Sequence, residues 1–281
     1  MWVAMMAGRR RKTEGQEVIG LIPAGGSATR ISPLPCSKEV FPVGFRKVDK
    51  DGSVRPKVAC HYLLESMHLA GVRKAYIVLR QGKWDIPGYL GDGGLVSVDL
   101  AYLMMDLPFG VPFTIDQAFP FVRDALVAFG FPDVLFRPRD AFLRLIARQR
   151  ATNADVILGV FCTDSPQKAD MVKLDGKGRV VRIDIKPRKT HLRYAWIMAV
   201  WTPVFTEFLH EYVSVIHNRK VRKGVRSMRP PERQLFIGDV VQAGISKGVR
   251  VDAVAFTKGS FLDLGTPEDL MKAIRTCDQF T

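Results

Sequence analysis

Leu21-Ile22-Pro23-Ala24-Gly25-Gly26-Ser27-Ala28-Thr29-Arg30 follows a short apolar run, Val18-Ile19-Gly20, and continues through Pro33-Leu34 to Ser37-Lys38-Glu39-Val40-Phe41-Pro42-Val43. The apolar, β-branched residues at 18–22 read as a buried strand running directly into turn-forming residues. Paired glycines at such a strand end let backbone N–H groups approach a polyphosphate, and Ser27 and Thr29 add hydroxyl donors. Arg30 and Lys38 put two cations on the same loop system, suited to charge that builds on a phosphorus centre during displacement. The spacing meets neither the Walker pattern nor the dinucleotide fingerprint. On their own, two adjacent glycines would mark no more than a tight turn.

Outward from this loop, strand and helix patterns alternate. Residues 58–70 carry apolar positions at helical spacing, and 75–79 read as the next strand. Residues 126–129 and 154–161 read as further strands, with a helix at 140–150 between them. Such βαβ units predict a mostly parallel sheet covered on both faces, with ligands at the carboxyl ends of its strands. From Met171 the texture changes. Residues 171–174 and 180–183 flank Asp175-Gly176-Lys177-Gly178, which predicts a hairpin. A strand at 196–201, a helix at 204–213, a late strand at 249–256 and a helix at 267–277 capped by Thr266 follow.

The chain has 281 residues, 47% hydrophobic and 25% charged, ordinary for a soluble globular protein. No apolar run reaches the ~20 residues that a bilayer crossing needs. The apolar Met1–Ala7 precedes Arg9-Arg10-Arg11-Lys12, the reverse of a secretory signal, so the expected location is cytoplasmic. Cys36, Cys60, Cys162 and Cys277 are scattered and show neither metal spacing nor disulfide density. The net charge of +14 points to an anionic partner. Much of it lies in the 9–12 run and in a loop-like basic stretch at 218–233. Those stretches lack interleaved aromatics, so no specific nucleic acid is expected.

Taken whole, the loop resembles the signature of the sugar nucleotidyltransferases, a GGxGTR-x-x-PL…PK-x-x-x-PV pattern in which Ala28 stands for the third glycine. The likeness continues in order. Leu90-Gly91-Asp92-Gly93 is similar to the family's LGDG segment. Phe131-Pro132-Asp133-Val134-Leu135 falls where the family has a strand ending in Gly-Asp. Asp184-Ile185-Lys186-Pro187 falls at Glu-Lys-Pro, and Phe261-Leu262-Asp263-Leu264-Gly265-Thr266-Pro267 is similar to W-x-D-x-G-T-P.

The resemblance implies a Rossmann-like α/β fold of the nucleotide-diphospho-sugar transferase type: a mostly parallel mixed sheet flanked by helices, with a β-rich acceptor-binding portion. A basic extension is expected at 1–16 and a single domain at 17–281, its NTP-binding half at 17–165 and its acceptor half at 166–281. The implied activity moves a nucleoside monophosphate from an NTP to a sugar-1-phosphate. Ala24, Gly25, Gly26, Ser27, Thr29 and Gly110 would hold the nucleotide. Arg30 would stabilise the leaving pyrophosphate, Lys38 the reacting phosphates and Lys186 the acceptor phosphate. Asp133 and Asp263 match the aspartates that bind Mg2+. That hard ion keeps waters and takes few protein ligands.

Two regions depart from the pattern. Met105 falls where a base-reading Gln is usual and cannot make its hydrogen bonds, leaving Asp106 or Gln117 as substitutes and the base open. Ile185 replaces the glutamate that holds sugar hydroxyls, and Met198 replaces a glycine. The acceptor pocket is therefore expected to be less polar, favouring a modified sugar or a non-sugar phosphate or phosphonate over an ordinary hexose. The competing readings are nucleotidyl transfer to such a non-sugar acceptor and an inactive regulatory homologue. Retention of all four charged site residues argues against the second. His61 and His68 read as packing or surface residues, and Trp196 and Trp201 as core. The oligomeric state, a homo-oligomer included, stays open.

Overall fold

The protein is described from a computed structural model that covers residues 15–47, 52–105, 110–222 and 234–280. The 9–12 run, most of the 218–233 stretch and Asp106 lie outside the described residues.

The first strand, β1 (Val18–Pro23), pairs in parallel with β4 (Lys74–Arg80) on one side and β6 (Leu126–Gly130) on the other. Between them come a hairpin, β2 (Pro42–Lys47) and β3 (Val54–Val58), and the helix α1 (Ala59–Leu69). This helix can lie close on the sheet because Gly20 has no side chain: a methyl there would stand 2.7 Å from Ala75 Cβ and 3.2 Å from Met67 Sδ. The short helix α2 (Asp85–Leu90) leads to the edge strand β5 (Asp99–Met105), parallel to β4. Two short helices, α3 (Val111–Asp116) and α4 (Phe119–Val122), return the chain to β6.

After β6 come β7 (Val134–Arg137), α5 (Ala141–Thr152) and β8 (Val156–Cys162). Helix α5 buries Ala141, Phe142, Leu145, Ile146 and Gln149, a stripe at helical spacing, and ends at Asn153 in a left-handed conformation (φ 51°). The hairpin predicted after Met171 is present as β9 (Met171–Leu174) and β10 (Val180–Asp184). Strand β11 (Tyr194–Trp201) runs antiparallel to β6, β8 and β9 and is buried along nearly its whole length. Helices α6 (Pro203–Arg222) and α7 (Ile237–Ser246) precede β12 (Val251–Phe256), which adds to β8 in parallel. The described chain closes with β13 (Ser260–Asp263), antiparallel to β7, and α8 (Pro267–Thr276). Thr266 Oγ1 accepts the Asp269 N–H at 3.3 Å, the expected cap.

The result is a nine-stranded, mostly parallel mixed sheet with helices on both faces, and it takes strands from both sides of residue 165. One core layer lies under α1 and α5, around Leu63, Met67, Phe142 and Leu145. The other lies under α3, α6 and α7, around Phe113, Phe205, Phe208, Ile237 and Val241. A smaller cluster joins α8 to β7 and β13 through Leu135, Leu262, Leu264 and Ala273. Trp196 and Trp201 are core residues, as read from sequence, and His61, read as a packing or surface residue, is buried. No helix among the described residues is long and apolar enough to cross a membrane.

Candidate active site

The glycine loop leaves the carboxyl end of β1, tied down where the Ala24 N–H donates to Val78 O at 2.9 Å. Gly25 is buried, and a methyl there would stand 3.4 Å from Met105 Sδ; at Gly26 the space is open. Met105, the residue aligned with the base-reading Gln, thus lies against the loop. Ser27, Thr29 and Arg30 are exposed. Ala28 is left-handed (φ 52°), and its carbonyl accepts from Ile31 N at 3.1 Å, Ser32 N at 3.0 Å and Ser32 Oγ at 3.0 Å. A positive φ is what a third glycine would accommodate without strain. Alanine adopts it at a cost of roughly 1–2 kcal/mol.

Gly110 (φ 119°) starts α3, and its carbonyl accepts from Phe113 N, Thr114 N and Thr114 Oγ1 at 3.1, 3.2 and 3.3 Å. A side chain at Gly110 would collide with the Leu235 carbonyl. Gln117 folds back on its own helix, its Nε2 donating to Phe113 O at 3.4 Å.

Lys38 opens a short 3-10 turn that is fixed on both sides. The Ser37 N–H and hydroxyl donate to the Asp85 carboxylate at 2.5 and 2.8 Å. Glu39, 2% exposed, pairs with Lys83 Nζ at 2.6 Å. Held in this way, Lys38 Nζ donates to the Asp133 carboxylate. Asp133 sits just before β7, and Val134 is in register with Asp263 at the end of β13. The Leu264 N–H donates to Asp133 O at 2.9 Å, fastening the two aspartates side by side.

Arg30 completes the group. A methyl on Gly265 would stand 2.9 Å from Arg30 Nη2 and 3.3 Å from Asp263 Oδ2. Burial of Lys38 works against its ammonium, but Asp133, then Asp263 and Glu39, outweigh it and hold its pKa above the ordinary value. Burial, then the neighbouring Asp133, pushes the Asp263 carboxyl up to about 6, with Lys38 and Arg30 opposing. Two crowded carboxylates whose mutual repulsion is only partly relieved are a donor pair that fits a hard divalent cation.

On the acceptor side, the loop after β10 brings Ile185 and Lys186 against the first turn of α7. Lys186 is exposed, in a left-handed backbone (φ 40°), with Nζ 4.2 Å above the Phe236 ring. Ile185 Cδ1 stands 2.7 Å from where a methyl on Gly238 would be. Met198 does not join them. It is 1% exposed, and its Cγ stands 2.6 Å from where a methyl on Gly159 would be, within the core layer of α1 and α5. A register shift in β11 between Trp196 and Met198 is the reason. It breaks the alternation of side chains, so Trp196 packs under α7 and Met198 under α5. Asp170, which sequence reasoning passed over, stands there instead, 9% exposed against Gly238. Its one sequence signal is an acidic residue immediately before an apolar strand. The Glu39–Lys83 pair and the Ser37–Asp85 bonds were also unread, since their partners are 44 and 48 residues apart.

The chain matches the nucleotidyl transferase family model over residues 19–279. It is 26% identical over 259 residues to a glucose-1-phosphate thymidylyltransferase of Actinoplanes sp., covering 91% of this chain and 76% of that protein. It is 22% identical to the low-salt glycan biosynthesis nucleotidyltransferase Agl11 of Haloferax volcanii, covering 90% of this chain and 64% of the archaeal protein. Among solved structures, a Bacillus anthracis protein provisionally assigned as a glucose-1-phosphate thymidylyltransferase, in complex with sucrose, superposes with a TM-score of 0.75. The identity is 17%, over 94% of this chain and 96% of that one. A UDP-glucose pyrophosphorylase complexed with UDP-glucose gives 0.73 at 17% identity, over 94% and 99%. With the glycine loop, the two cations and the two aspartates assembled at one strand end, and the match running through all of them, the chain belongs to the nucleotidyl transferase family.

Proposed function

We propose that this chain transfers a nucleoside monophosphate from an NTP to a sugar-1-phosphate, releasing pyrophosphate, with Mg2+ held by Asp133 and Asp263. One observation carries the reading: Arg30, Lys38, Asp133 and Asp263, spread over more than 230 residues of sequence, meet beside the glycine loop. The thymidylyltransferase relatives and the UDP-glucose-bound neighbour support it.

In this reading the loop N–H groups from Gly25 to Thr29 cradle the triphosphate. An oxygen of the acceptor phosphate attacks the α-phosphorus, and the bond to the β-phosphate breaks. The attacking group is already an anion, so no side chain has to take a proton. Arg30 faces the charge that develops on the leaving pyrophosphate, and Lys38 the reacting phosphates. Lys186 holds the acceptor phosphate. A bound Mg2+ would supply charge neutralisation across the phosphate oxygens. The test is pyrophosphate release from each NTP against a panel of sugar phosphates, with and without a chelator. Release that needs both an acceptor and a divalent ion supports the reading, and silence with every pair overturns it.

A further inference from the structure

Asp170 is a buried carboxylate without a close cation. It is 9% exposed, its Oδ1 lacks a hydrogen-bond partner, and among the described residues it forms no ion pair. Lys186 is the cation nearest in effect, yet its Nζ is placed over the Phe236 ring at 4.2 Å. The buried Trp196 indole Nε1–H and the Lys186 backbone N–H both point to the same carboxyl and act to favour its charged form. Ile185 and the first turn of α7 close the remaining side, where Gly238 leaves room for the carboxylate. Burial raises the Asp170 pKa, Lys186 opposes, Asp239 on α7 raises it again, and the outcome is about 6. Folded proteins rarely keep a buried carboxylate without a counter-charge.

This carboxylate lies close to the residue assigned to the acceptor phosphate and to the indole N–H of Trp196. A buried carboxylate that lacks a counter-ion is a receptor for a cationic nitrogen. We propose that Asp170 selects acceptors that carry a protonated amine beside their phosphate, the amine on Asp170 and the phosphate on Lys186. The acceptor class is then an amine-bearing phosphate ester, an amino sugar-1-phosphate or an aminoalkyl phosphate. The inference rests on the nucleotidyl-transfer reading and names its acceptor.

The experiment compares kcat/KM for glucosamine-1-phosphate, N-acetylglucosamine-1-phosphate, glucose-1-phosphate and ethanolamine phosphate with the NTP that works best. At least one free amine should exceed the uncharged compounds by ~10-fold or more, the strength of a charge-assisted contact. Which of the two amines leads separates the sugar from the aminoalkyl source. In Asp170→Asn, the amine preference should fall to within about twofold. Equal rates for amine and hydroxyl compounds in the unaltered protein overturn the inference, as does an Asp170→Asn protein that keeps the preference. If Asp170→Asn does not fold, the comparison in the unaltered protein decides alone. If no acceptor releases pyrophosphate with any NTP, the transfer reading has failed. Calorimetric binding of glucosamine-1-phosphate against glucose-1-phosphate then tests Asp170 separately, and equal affinities or no binding overturn its assigned role.

Discussion

Replacing Lys83 by Met should unfold this protein more readily than its distance from the loop suggests. Lys83 Nζ and Glu39 Oε2 are 2.6 Å apart, with side chains 5% and 3% exposed. At an effective dielectric of 20 their attraction is roughly 6 kcal/mol, most of which offsets the cost of drying two ions. Burial already raises the Glu39 pKa against the opposing pull of Lys83. Lys83→Met removes that pull and leaves a buried carboxylate alone. Breaking one side of such a pair typically costs about 3–5 kcal/mol. For a chain of this length that is a fall in Tm of about 6–10 °C. Changing both members to Met restores an apolar interior and should return to within about 1 kcal/mol of the parent. Urea unfolding of the parent, both single variants and the double variant, followed by circular dichroism, measures the cycle. The reasoning is refuted if Lys83→Met costs less than about 1 kcal/mol, or if the two single losses simply add in the double variant.

Three further outcomes follow from the site. Asp133→Asn or Asp263→Asn should lower kcat by at least ~10²-fold, because each removes charge from the proposed metal clamp, and full activity at saturating Mg2+ would sink the metal assignment. Ala28→Gly should leave stability unchanged or raise it by about 1 kcal/mol in urea unfolding, since it relieves a left-handed alanine; a clear loss would show that no strain is stored there. Asp170→Asn should be more stable than the parent at pH 7.5 but not at pH 4. The Asp170 carboxyl is held at about 6 in the folded chain against 3.8 as reference, so its contribution to stability is full below about 3.8 and lost as pH rises through 6. The difference gained over that window is on the order of 3 kcal/mol, read from urea midpoints at the two pH values; a gap that does not change with pH contradicts it.

The sequence by itself determined the sheet's interior and the chemistry of its loop. Val18 to Pro23 could be read because an apolar β-branched run ending in Pro-Ala-Gly-Gly has few other outcomes. The hairpin around Asp175–Gly178 and the cap at Thr266 were legible for the same local reason: turn and cap residues act on neighbours a few positions away. The β2–β3 hairpin was not legible, because Arg46, Lys47, Arg55 and Lys57 obscure the alternation of a strand pair. β7 and β13, four residues each, are too short to show a period, and only their pairing makes them strands. That pairing also sets Asp133 beside Asp263 and was foreseen only through resemblance to the family. Met198 and Asp170 mark the limit most clearly. The expectation for Met198 assumed an unbroken period of two along β11. One register shift moved its side chain to the opposite face, and Asp170, buried on the acceptor side, had no local signal of its role. Local chemistry is written in consecutive residues. Which buried charge faces which partner depends on strand register and chain crossings, and only tertiary packing sets those.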